Sequence, residues 1–329
     1  MHKEFFLRFL AILSVVGMFI VNLAGFLDTE THSALGCGRE WPLCNGSVIP
    51  AKWGLHTIIE FVHRGLVGVV TLLFLVVAVW AWWKYGRFVE VRILAALAVG
   101  FIFLEALLGA LGVLFADPPP LLASHFGIAL IAFDGVVLLA VVIGQIQRQQ
   151  QQLVATGQLP GSALYGRAAI PRVPLRPELP NLRIRFWVWF TVVYLYVAMY
   201  VGAFVAATGA GAMFRGWPFP TESYGQAGFY FLIDIAHRSF GLGLLILTLW
   251  LVVLAHAIRK QRRDLYWGAW TLVVLVCAQA VSGGYLIWSD LSTTAFLIHV
   301  SIISILFGTL GYLALQVSAE PRSRIQWQG

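Results

Sequence analysis

Glu60-Phe61-Val62-His63-Arg64-Gly65 lies inside a long apolar run, with three ionisable side chains among five positions. Charge at membrane depth is costly, faces the protein interior and marks function. A related stretch returns as Asp234-Ile235-Ala236-His237-Arg238-Ser239. Much of the chain reads as two copies of a scaffold that sets this hexapeptide opposite a second histidine.

The apolar setting extends to the whole sequence. Of 329 residues, 60% are hydrophobic and 11% charged, and the mean hydropathy is +0.83. Soluble proteins are about a quarter charged, so the chain reads as an integral membrane protein. Its apolar runs are about 20 residues long without dyad alternation, the length of membrane helices rather than barrel strands. Eight spans are expected, at 7–27, 56–83, 90–115, 121–145, 184–207, 227–257, 265–288 and 293–316. The first has no obvious small-residue cleavage site and is kept as a span.

The formal charge of +7 is not one patch, which argues against nucleic acid. Lys3 and Arg8 open span 1, and Lys84, Arg87 and Arg92 lie between spans 2 and 3. Arg148, Arg167, Arg172, Arg176, Arg183 and Arg185 fall between spans 4 and 5, Arg259 to Arg263 between spans 6 and 7, and Arg322 and Arg324 after span 8. The opposite loops hold Arg39, Lys52 and Arg215. The positive-inside rule then places both termini in the cytoplasm of a multi-pass cell (inner) membrane protein.

The first outside loop carries Cys37 and Cys44, a pair on the oxidising side that reads as a structural or redox-active disulfide, with two free thiols as the alternative. Cys277 in span 7 reads as a buried packing residue. Asp117-Pro118-Pro119-Pro120 is a hard turn. Residues 146–183, with Gln149 to Gln152 and five prolines, read as a cytoplasmic tether. The expected organisation is an N-terminal four-helix bundle over 1–145, the linker 146–183, and a C-terminal four-helix bundle over 184–329.

The repeat gives these bundles their content. His63 precedes His125 by 62 residues, and His237 precedes His299 by 62. Glu105 follows His63 by 42, as Gln279 follows His237. All three pairs share an offset of 174, and Trp41-Pro42 matches Trp217-Pro218 with a two-residue slip. Four spans per half make the copies parallel, related by an axis along the membrane normal. At 1.5 Å per residue the four histidines lie roughly 6–15 Å below the outer face.

One histidine on each of two facing helices can supply both axial ligands of a haem. Two per bundle leave the shell of a zinc ion short. Hydrogen-bonded intramembrane histidines are the bland alternative, made poorer by four at matched spacing. Glu60 stands one turn before Arg64, as Asp234 does before Arg238. An ion pair is one reading of that spacing; a carboxylate beside a haem, accepting a proton or stabilising positive charge, is the other. Arg64 and Arg238 could equally meet haem propionates. The halves differ, since the cysteine loop belongs only to the first.

These residues together resemble the haem A synthase family, over nearly the whole chain outside the linker. The resemblance implies oxidation of the C8 methyl of haem O to a formyl group, giving haem A for cytochrome oxidase. It implies that His63 and His125 bind the substrate haem, that His237 and His299 hold a haem b, and that Glu60 is the essential acidic residue. Cys37 and Cys44 match the family's outer-loop pair, and a haem O synthase and a membrane electron acceptor become expected partners. Two departures stand out: the third outside loop lacks the cysteine pair of some members, and Glu105 occupies a position where glutamine is expected. A bis-histidine dihaem cytochrome, such as a quinol oxidoreductase, and a parallel-repeat transporter are the competing readings.

Overall fold

A computed structural model describes residues 2–116, 118–161 and 174–319. Arg167, Arg172, Arg322, Arg324, Pro171 and Asp117 of the expected loops and turn lie outside the described residues. The chain is helical, with α1 (His2–Glu30), α2 (Leu55–Tyr85), α3 (Val89–Phe115), α4 (Pro119–Ala155), α5 (Leu182–Ala207), a one-turn α6 (Tyr224–Ala227), α7 (Phe229–Ala257), α8 (Arg263–Trp288) and α9 (Thr293–Val317). Eight of these are long and apolar enough to cross a membrane. Their outward faces are apolar, with Val69, Leu72 and Val79 each about two-thirds exposed. Such faces belong against lipid rather than water.

Helices α1 to α4 close a ring in which α1 packs on α2 and α4, and α3 on α2 and α4. In the second ring α5 and α8 each pack on α7 and α9. The two quartets meet where α4 lies against α5 and α9, and where α1 lies against α9. Near the histidines, Phe26 stands 4.9 Å from Phe126 and 6.2 Å from Phe296, ring centre to ring centre, and ties the quartets together.

Three details differ from expectation. The first concerns α4, which runs ten residues past the expected span into the glutamine run. Glutamine is a good helix former, and two glutamines of this extension find partners: Gln147 donates to the Tyr85 hydroxyl at 3.1 Å and Gln149 to the Pro174 carbonyl at 2.9 Å. The second is the stretch after Pro174, which packs rather than tethers. Arg176 is buried, pairs with Glu90 of α3 and donates to the Leu315 carbonyl at 2.7 Å. Arg262 donates to the Gln316 carbonyl at 3.0 Å and to the Pro177 carbonyl at 3.2 Å, and Arg185 to the Val317 carbonyl at 2.8 Å. The last carbonyls of a helix have no partner within it and attract cations. Three arginines supply them for α9. The third is Cys277, which is exposed on α8 rather than buried: in a membrane helix an apolar small residue is equally at home on the outer face.

Candidate functional site

Each of the four histidines lies with its ring against a glycine of a neighbouring helix. A methyl group built on Gly25 of α1 would lie 3.0 Å from His63 Cε1, and one on Gly109 of α3 3.2 Å from His125 Cε1. One on Gly202 of α5 would lie 2.8 Å from His237 Cε1, and one on Gly283 of α8 3.4 Å from His299 Cε1. At Gly25, Gly109 and Gly202 a residue without a side chain lets the helix backbone approach the ring closely, whereas the spacing at Gly283 is ordinary contact. Gly109 lies in the stretch Leu107-Leu108-Gly109-Ala110-Leu111-Gly112, whose small residues permit close helix contact. The other three glycines were missed, although Gly109 and Gly283 carry the same offset of 174.

His63 and His125 lie within electrostatic reach of each other, as do His237 and His299. Among the described residues the buried Nδ1 atoms of His63, His125 and His237 have no hydrogen-bond partner. A buried polar nitrogen left unpaired is costly, and a bound group removes that cost only where it bonds to Nδ1 itself. Among the described residues no three of His, Cys, Asp and Glu gather as a metal cage. Paired imidazoles with no third ligand are the donor set of a bis-histidine haem, so these residues fit that group better than a bare ion. His299 is held more firmly than the rest: Gln279 Nε2 lies 3.0 Å from its Nε2 and Ser282 Oγ 2.9 Å from its Nδ1. A serine on Nδ1 fixes ring orientation, as outer partners of ligating histidines do, and leaves Nε2, which Gln279 faces, as the nitrogen that would meet iron once the amide moves aside. In the first quartet the residue matching Gln279 is Glu105, with its carboxylate 3.6 Å from His125 Nε2.

Glu60 is 1% exposed and committed at both oxygens. Oε1 pairs with Arg64, and Oε2 accepts the Cys37 backbone N–H at 2.5 Å. Arg64 also donates to the Leu43 carbonyl at 3.0 Å. The two ends of the loop between Cys37 and Cys44, which form a disulfide, thus grip one glutamate–arginine pair. Gly36 makes the approach possible, because its Cα packs directly on the His56 backbone and its carbonyl accepts Thr57 Oγ1 at 2.8 Å. Outside the repeat, His56 Nδ1 lies 2.9 Å from Ser33 Oγ and secures the same loop.

The second quartet keeps half of this arrangement. Asp234 accepts Arg238 Nε at 2.6 Å, and Arg238 donates to the Gly216 and Pro218 carbonyls at 2.8 and 2.9 Å. Both arginines therefore meet carboxylates, the first of the two partners weighed for them, and both also hold a connecting loop in place.

The family model described as cytochrome oxidase assembly protein (COX15-CtaA) matches residues 51–310. The chain is 33% identical to the Heme A synthase of Lysinibacillus sphaericus over 324 residues, 97% of each chain. It is 34% identical to the Heme A synthase of Bacillus licheniformis, over 97% of this chain and 98% of that one. Against the Staphylococcus epidermidis protein of the same name the identity is 28%, over 98% of this chain and the whole of the relative.

Proposed function

The chain belongs to the COX15-CtaA family of cytochrome oxidase assembly proteins, and from that premise we propose how its two halves divide the work of a haem A synthase. The reaction oxidises haem O to haem A, at the C8 methyl group. The N-terminal unit, residues 1–145, binds haem O through His63 and His125. The C-terminal unit, 184–329, holds a haem b through His237 and His299, with 146–183 joining them. When bound, haem b supplies one-electron redox chemistry. The observation that carries this division is the asymmetry around otherwise matched histidine pairs: the buried glutamate beneath a disulfide loop belongs to the first pair, whereas the serine and glutamine that steady a ring belong to the second.

Glu60 is the catalytic group. Passing two electrons to the membrane acceptor and one proton to a base leaves positive charge at the methyl carbon, conjugated with the porphyrin, and water then adds there. A preoriented carboxylate in a site closed to water stabilises such charge strongly and is placed to take a proton. The Cys37 amide and Arg64 hold the carboxylate in one orientation, so little reorganisation is needed when charge develops. The loop that covers it stands on the oxidising face, with both chain termini in the cytoplasm and the protein in the cell membrane. A haem O synthase delivering substrate and a membrane electron acceptor are the partners this chemistry calls for.

Pigment extraction tests the reading. Full-length protein in membranes supplied with haem O should form haem A and, once purified, retain haem b. Haem b alone, with haem O unchanged, would mark an electron carrier and overturn it.

The loop makes its own prediction. A charge-assisted hydrogen bond is worth about 1.5–3 kcal/mol, and the disulfide restrains the loop that supplies it. The double variant Cys37→Ser, Cys44→Ser should form haem A about tenfold more slowly with haem b content unchanged. A rate equal to wild type would show that the loop holds Glu60 without its cross-link.

A further inference from the structure

At the end of the molecule opposite the disulfide loop, where a short turn joins α2 to α3, residues of both helices line a groove of about 610 Å³. Its walls are apolar, from Val79 and Trp82 of α2 and Ala96 and Val99 of α3, and Arg87 and Arg92 close its end. We propose that this groove binds an anionic phospholipid, its phosphate between Arg87 and Arg92 and an acyl chain along the apolar wall.

The arginines carry the argument. Among the described residues neither has a hydrogen bond or an ion pair with another side chain. The acid nearest in sequence, Glu90, is committed to Arg176, so it does not neutralise them. Arg64, Arg176, Arg185, Arg238 and Arg262, by contrast, are engaged with carboxylates or helix carbonyls. Two uncompensated guanidinium groups at the mouth of an apolar slot complement a phosphate joined to a hydrocarbon chain.

The level is also right. Trp82 and Trp83 are about half exposed at the end of α2, and tryptophans settle at the boundary between headgroups and hydrocarbon. From Arg92 to Val99 the groove wall runs roughly 10 Å along α3, into the depth of acyl chains. Val79, 69% exposed, leaves the slot open sideways to the bilayer, which favours a lipid over a phosphate from solution. The groove is distinct from the haem sites, since Leu75 on its wall lies twelve residues, roughly 18 Å, along α2 from His63. Basic pockets between membrane helices recognise anionic headgroups in this way.

Native mass spectrometry of the full-length protein tests the assignment, with dioleoyl phosphatidylglycerol and dioleoyl phosphatidylcholine offered at equal concentration. Wild type should retain the anionic lipid with about thirtyfold preference, the attraction of two basic side chains near an anionic group. The variant Arg87→Gln, Arg92→Gln should lose the preference. Ala96→Phe, which keeps both charges and fills the exposed wall, should retain less of either lipid. Equal retention of the two lipids by wild type would overturn the proposal, as would a preference that survives loss of both arginines. Millimolar inorganic phosphate that displaces the bound lipid would do the same, by showing a site for the free anion.

Discussion

Glu60→Gln lowers the rate of haem A formation by about 10²- to 10³-fold, the cost of removing one preorganised electrostatic contact from a dry site. The substitution is close to isosteric. The glutamine carbonyl still accepts the Cys37 amide, and Arg64 keeps the Leu43 carbonyl. What disappears is the charge. Single-turnover conversion of haem O in membranes reads the rate, and the haem b content of the purified variant reads the fold. Conversion within threefold of wild type, with haem b retained, would remove Glu60 from the chemistry. Arg64 makes this contrast demanding, because a buried cation stripped of its partner costs several kcal/mol. Retention of haem b, in a quartet that contains neither residue, separates loss of chemistry from loss of structure.

The glycines behind the histidines give a second large effect, and it is selective. Gly202→Val places a branched side chain where even Cβ lies 2.8 Å from the His237 ring. Overpacking of this kind costs about 1–3 kcal/mol, and displacing the ring moves the nitrogen that would meet iron. The purified variant should lose its bis-histidine haem absorption. Gly25→Val makes the matching insertion behind His63, 3.0 Å away. It should stop conversion of haem O while the absorption of haem b stays. Gly241→Val, with open space at its Cβ position, reports the cost of valine in the helix alone and should leave both readouts intact. Equal haem b content in the Gly25 and Gly202 variants would overturn the division between the halves.

The architecture of eight spans could be read from apolar run length alone, because lipid leaves a chain few ways to satisfy its backbone. The four histidines could be singled out because their spacing recurs at one offset. Glu60 and Arg64 were legible as a pair through helical periodicity. The partner of the second Glu60 oxygen was not, since the donor is the backbone amide of Cys37 and every residue but proline carries one. Nor was the extension of α4, where a run of glutamines looks like linker until Tyr85 and the Pro174 carbonyl are seen to receive it. The glycines Gly25 and Gly202 were hidden for a similar reason. They differ from the repeat offset by three residues, and glycine is common in membrane helices for other purposes. The orientation of Cys277 was a matter of which face meets lipid, which one cysteine cannot declare.

The arginines that close α9 bear on how this chain can be divided. Arg176 stands before the second quartet in sequence, yet it terminates the last helix of that quartet and is paired with an acid of the first. The stretch beginning at Pro174 is therefore shared property. A hybrid that joined the first half of one relative to the second half of another would have to carry this segment, Glu90 and the end of α9 together. The two halves look like interchangeable modules in the order of their helices; at this end of the molecule they are fastened together as one.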